Sequence, residues 1–143
     1  MKRTQISGSR CRTDRRGATM VEFIFVVPIF FTVLFAGIEF ATIGTIRSTS
    51  HNAAYEGARL LVIPGANAQN GIDEAKRIMA VVGVDTLTVT TTPAVIRDDT
   101  TQITVDIEIP YAQNAVFTPW FVGNRILRST CTLKTERYEG LTP

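Results

Sequence analysis

The chain has 143 residues, 45% of them hydrophobic, and its 15 Lys and Arg against 13 Asp and Glu leave a net charge of +2. That length holds at most one domain beside a membrane segment. Residues 1–17 carry six basic side chains against Asp14 alone, a net +5, whereas the nine basic and twelve acidic residues of 18–143 give −3, which speaks against a nucleic-acid surface.

The first predicted element is a basic leader, 1–17, ending in a junction. Arg15-Arg16-Gly17 leads into Ala18-Thr19-Met20-Val21-Glu22 and then into sixteen uncharged residues from Phe23 to Ile38. A carboxylate inside a membrane costs roughly 2–4 kcal/mol at the bilayer centre and less near its edge, so Glu22 calls for a partner. From Ala18 to Ile46 only Glu22 and Glu39 are charged, and as a helix this stretch would run about 44 Å. The segment between the two glutamates is near the short end of what crosses a bilayer. The basic flank predicts a cytoplasmic N-terminus, with everything after about Phe40 translocated. A fully buried soluble helix is the plain alternative, but the remaining chain offers too little apolar surface to wrap one. A secretory signal also competes. Its cleavage contexts are poor: Leu34 stands before Ala36, Glu39 before Ala41, and only Thr42 before Gly44 is tolerable. The small residue with a clean context is Gly17, ahead of the apolar run. Pro28 lies within this helix, where it removes one backbone hydrogen bond; membrane helices tolerate this better than soluble ones. It is an ordinary transmembrane proline or a flexible point that helps the helix leave the bilayer for a bundle.

Arg15-Arg16-Gly17-Ala18-Thr19-Met20-Val21-Glu22-Phe23 with Pro28, followed by Gly37-Ile38-Glu39-Phe40, resembles the N-terminal motif of TadE-like proteins. These are pseudopilins of the tight-adherence (Flp, type IVc) pilus system. The resemblance covers residues 15–45. It implies cleavage by a prepilin peptidase between Gly17 and Ala18, placing Glu22 at the fifth position of the mature chain. The Glu22 carboxylate of one subunit would then pair with the Ala18 ammonium of a neighbour, a buried pair that sets register between helices. Phe23 stands where Flp pilins carry Tyr, which together with the chain length favours a minor pseudopilin over the major pilin; the residues do not separate TadE from TadF. The implied partners are the peptidase, other pilins and pseudopilins, the inner-membrane assembly machinery and membrane lipid. The implied location is a single pass through the cytoplasmic (inner) membrane, in a protein serving pilus biogenesis and adhesion.

Beyond the transmembrane and assembly helix, 18–46, a stem helix is expected over 47–64. Ala53, Ala54, Gly57, Ala58 and Leu61 recur on one face, and Glu56 and Arg59 form an i, i+3 pair. Pro64-Gly65 ends it. Residues 65–143 form a small extracytoplasmic domain. Asn70 is the expected N-cap of a short helix, with Asp73 and Glu74 in its first turn and Ile72, Ala75, Ile78, Met79 and Val82 marking its apolar face up to Gly83. From Val84 the period changes to two: Leu87, Val89 and Thr91 mark one strand, and Ile103, Val105, Ile107 and Ile109 a second, with a hairpin turn at Asp98-Asp99. Pro110 closes the second strand. Residues 111–124 read as a loop or short helical turn bearing Phe117, Trp120 and Phe121. The plain reading is a lid over the sheet core, and the sharper one a contact patch for a partner pseudopilin. A last strand, about 125–137, puts Leu127, Cys131 and Leu133 on one face. The fold class is therefore α+β and pilin-like: a long N-terminal helix packed on a small antiparallel sheet with one short additional helix.

Two cysteines, Cys11 and Cys131, give no disulfide framework if the leader is removed or stays cytoplasmic. Cys131 reads as a small core residue. No catalytic constellation is present. His51 is a lone histidine beside Asn52, a surface or cap residue rather than a ligand. Asp106 and Glu108 share a strand face without the loop oxygens a calcium site needs. No cofactor, metal or enzymatic activity is expected. Two further readings stay open: an uncleaved single-span protein displaying a small extracytoplasmic binding domain, and a domain released by signal peptidase.

Overall fold

The computed structural model describes residues 14–63, 65–97, 100–115 and 119–135. Most of the leader with Cys11, and also Pro64, the Asp98-Asp99 turn, Phe117 and the expected strand end at 136–137, lie outside the described residues. The order is α1 (Asp14–Val62), α2 (Ala68–Val81), β1 (Thr88–Thr92), β2 (Gln102–Pro110), α3 (Tyr111–Asn114) and β3 (Ile126–Lys134). The expected segments 18–46 and 47–64 fall, as far as Val62, on one continuous helix, α1, which includes the leader residues from Asp14 and runs through Pro28. The chain divides between Gly37 and Ile38 into two compact units.

In the first unit α1 is exposed on nearly every side. Met20, Val21, Phe23, Ile24, Phe25, Val26, Ile29, Phe30 and Phe31 all face outward. A helix that is apolar all round has no preferred face to bury against one neighbour and suits an apolar medium instead. Among the described residues it is the one helix long and apolar enough to cross a membrane. Its hydroxyls are handled locally. Thr32 Oγ1 donates to the Pro28 carbonyl at 2.8 Å, and in the second unit Thr42 and Thr45 donate to the carbonyls of Ile38 and Ala41 at 2.9 and 3.0 Å. Such back-bonding leaves no polar hydrogen needing water.

The second unit is an α+β domain around one core. Its sheet has the order β1-β2-β3, both pairs antiparallel. The alternation read in β2 is realised in full: Ile103, Val105, Ile107 and Ile109 are all buried. The opposite face carries cross-strand polar pairs in register. Thr104 and Thr132 share a hydrogen bond of 2.9 Å, Thr130 Oγ1 donates to Asp106 Oδ1 at 2.5 Å, and Arg128 meets Glu108 at 3.1 Å. Val84 is buried and Leu87 half-buried, but both precede β1. Leu127, Cys131 and Leu133 do share a face of β3, yet its deepest residue is Ser129.

On the stem, Ala53, Ala54, Gly57, Ala58 and Leu61 are buried as one face, and Glu56 pairs with Arg59 at 3.7 Å. The small residues matter because α2 crosses there. A Cβ on Gly57 would stand 2.9 Å from the Gly71 carbonyl oxygen, and one on Gly71 2.6 Å from Leu61 Cγ and 2.8 Å from the Gly57 carbonyl oxygen. Backbone meets backbone, with Ala75 and Met79 of α2 buried alongside. The N-cap of α2 is Asn67, not Asn70. Asn67 is extended (φ −93°, ψ 138°) and its Oδ1 accepts from the Gln69 N–H, whereas the Asn70 N–H already points to the Asn67 carbonyl. Asp73 and Glu74 therefore fall beyond the first turn. Glu74 instead accepts from Arg77 at 2.8 Å, a hydrogen bond that lowers its pKa.

Candidate functional site

The junction residues lie in the opening turns of α1. The Gly17–Ala18 bond is helical and lies three residues after Asp14, the first described residue of α1. Nothing within 4 Å would obstruct a Cβ on Gly17, and its φ is not positive. Neither the packing of the described residues nor the local backbone therefore demands glycine at that position. Ala18 and Glu22 are four residues apart and lie on one helix face. Both are exposed, and Glu22 makes no ion pair or hydrogen bond among the described residues. Phe23 is 66% exposed. The arrangement is an exposed carboxylate on an apolar helix, with no partner among the described residues, one turn after the Gly17–Ala18 bond.

A second constellation lies in the other unit. Glu39, half-buried on α1, receives two consecutive backbone N–H groups from the 119–125 loop. Phe121 N–H donates to Oε2 at 3.2 Å and Val122 N–H to Oε1 at 2.9 Å. Paired amides converging on one carboxylate are a charge-assisted clasp. Beside it Tyr111 is buried, its N–H donating to the Arg125 carbonyl at 3.0 Å. Burial and then the Glu39 charge push the Tyr111 hydroxyl above its ordinary pKa. Asn114 secures the same region by bonding both backbone groups of Thr86, at 3.1 and 2.8 Å, and the Pro110 carbonyl at 3.0 Å.

Of the aromatic residues named from sequence, Trp120 is 79% and Phe121 48% exposed. They do not form a lid over the core. The loop backbone turns toward Glu39, Val122 packs against the core, and the two rings point out. Glu39 was readable as the second charge of the apolar segment, but nothing local indicated its partner 82 residues away. His51 is exposed. Asp106 and Glu108 are engaged by Thr130 and Arg128, and the described residues hold no group of three or more His, Cys, Asp or Glu able to hold a metal ion. The half-buried Cys131 thiol is pushed up in pKa by desolvation, the opposite of an activated nucleophile.

Residues 17–59 match the model of the TadE-like protein family. The match starts on Gly17, includes Glu22 and Glu39 and ends within the stem part of α1, so it covers less than a third of the chain. No curated protein and no solved structure matches the chain.

Proposed function

We propose, from the TadE-like segment that α1 carries, that this chain is a minor pseudopilin of the TadE type, matured by a prepilin peptidase after Gly17 and acting in the assembly of a tight-adherence (Flp) pilus. The observation that carries this reading is the coincidence at the junction. The family match opens on a glycine that packing among the described residues does not require, and five residues later stands an exposed carboxylate with nothing among those residues to neutralise it. A demand for glycine from outside the chain fits the small side chain a peptidase needs before the cut. A carboxylate without an internal partner fits an external one, the new ammonium of Ala18 on a neighbouring subunit. In the apolar medium such a pair is strongly favoured over either charge alone.

The role is structural rather than enzymatic, and it needs no cofactor or metal. The protein sits in the cytoplasmic membrane with its N-terminus inside and its C-terminal domain outside. Its partners there are the peptidase, other pilins and pseudopilins, and the assembly machinery.

The test is N-terminal sequencing and intact mass of the protein from native membranes. The expected mature chain begins at Ala18 and retains the whole apolar helix, and Gly17→Phe accumulates as the uncut precursor. An uncut wild-type chain would shift the weight to the single-span binding domain. A start beyond Phe40 would mean a domain released by signal peptidase.

A further inference from the structure

Glu39 stands at an awkward depth. A helix needs about 20 residues to cross the hydrocarbon layer. Counted from Phe23, the first residue past Glu22, that span reaches Thr42, so Glu39 falls inside it, near the outer edge. The next charge is Arg47, exposed, two turns further on. The headgroup layer thus lies between Thr42 and Arg47, and Glu39 meets it from the apolar side. There the carboxylate cannot rely on bulk water, and two loop amides satisfy it instead. The same two bonds bring the loop to the level of Glu39. Trp120 and Phe121 are the residues that loop exposes, and Phe40, next to Glu39 on α1, is itself 62% exposed. The aromatic pair is thereby fastened beside the Glu39-Phe40 turn of α1, whose Phe40 ring is exposed as they are. Trp is the side chain most suited to a bilayer boundary, with an apolar ring body and one N–H for the wet side.

We propose that Trp120 and Phe121 form a lipid-interface anchor: the clasp on Glu39 fastens their loop at the headgroup boundary of the bilayer that α1 crosses, and both rings insert there. The proposal goes beyond the pilus assignment and rests only on membrane insertion of α1. It makes the loop a depth gauge for the extracytoplasmic domain, with lipid as the first partner of the aromatic patch.

Trp120 is the sole tryptophan of the chain, so its fluorescence reads the site directly. The full-length protein is reconstituted into vesicles of phosphatidylcholine and phosphatidylglycerol, recovered by flotation, and titrated with quenchers. The lipids carry a spin label either near the headgroup or near the acyl terminus, and acrylamide probes from the water. The expected result is blue-shifted emission, strong quenching by the shallow label, weak quenching by the deep one, and little by acrylamide. Glu39→Ala should still float but lose the shallow-label quenching, and Glu39→Gln, with one acceptor oxygen left, should fall between. A floating wild-type chain whose Trp120 is quenched by acrylamide and by neither lipid label would overturn the anchor while leaving the membrane reading intact. So would protection that appears only when co-purified pilus proteins are added, which would assign the patch to a protein partner. Unchanged lipid quenching in Glu39→Ala would overturn the fastening role. A chain that stays out of the floated lipid would overturn both readings.

Discussion

Ser50 and Ser129 show how much a single pair of atoms can decide. Their hydroxyls meet at 2.6 Å in the core, joining α1 to β3 across 79 residues of sequence, and the Ser50 hydroxyl also reaches the Arg47 carbonyl. Both serines are buried. Removing Ser50 leaves the buried Ser129 hydroxyl without this partner, a loss of about 1–3 kcal/mol, whereas replacing both by apolar groups can be nearly neutral. Ser50→Ala is therefore expected to lower the unfolding free energy by that amount, with Ser50→Ala/Ser129→Ala less destabilised than the sum of the singles; denaturant melts of the four forms check this. Additive losses would mean the two hydroxyls act separately. Residues of this kind were illegible in the sequence. Ser50 ends a Ser-Thr-Ser run in which nothing marks one hydroxyl as buried, and Glu39 was visible as a charge whose partners are backbone groups of no particular residue type. Glu22, by contrast, was conspicuous because its difficulty is local: a carboxylate beside sixteen uncharged residues.

At the scale of elements, the crossing of α1 and α2 depends on Gly57 and Gly71. The carbonyl of each lies where the other's Cβ would be, so a methyl group at either position meets backbone that cannot swing aside. Overpacking of this kind costs about 1–3 kcal/mol. Gly71→Ala is expected to lower the melting temperature and to loosen α2, read as faster amide exchange of Ala75 and Met79, while the exposed Gly44→Ala does neither. Equal melting temperatures for Gly71→Ala and wild type would mean the helices separate without cost. The stem face and the period-two run of β2 were readable because burial there follows the geometry of the element itself. The cap of α2 was misread because Asn67 and Asn70 offer the same chemistry three residues apart. What decides between them is tertiary: starting the helix at Ala68 places Gly71 inside it, against Gly57. The outward course of Trp120 and Phe121 was not legible for a related reason, since aromatic content does not say which way a loop faces.

For the molecule as a whole, the two units differ in what surrounds them. The second has its own core and sheet; the first has an apolar surface on which Glu22 has no partner among the described residues. If that carboxylate is matched only by a neighbouring subunit, its removal should leave the fold and maturation untouched and act on assembly alone. Glu22→Ala is expected to be cleaved at Gly17 and to reach the membrane at wild-type level, yet to be lost from pilus complexes recovered by cross-linking. Undiminished incorporation would rule out the ion-pair role. The overall α+β class followed from the sequence because the elements carry local signals: an uncharged apolar run in α1, a helical period in the stem and α2, and a period of two in β2. The link between loop and helix did not, because it is made of main-chain groups far apart in the chain.

The clasp on Glu39 uses only the main chain of Phe121 and Val122. It thus recognises an address along the polypeptide and is indifferent to what hangs from it. The side chain at 121 is free to be recut for a different surface without undoing the attachment, and Phe121→Ala keeps the donor that Phe121→Pro deletes. Grip and contact are divided between the backbone and the ring of one residue, so the outward face of the loop can be re-specified while its position on the helix stays the same.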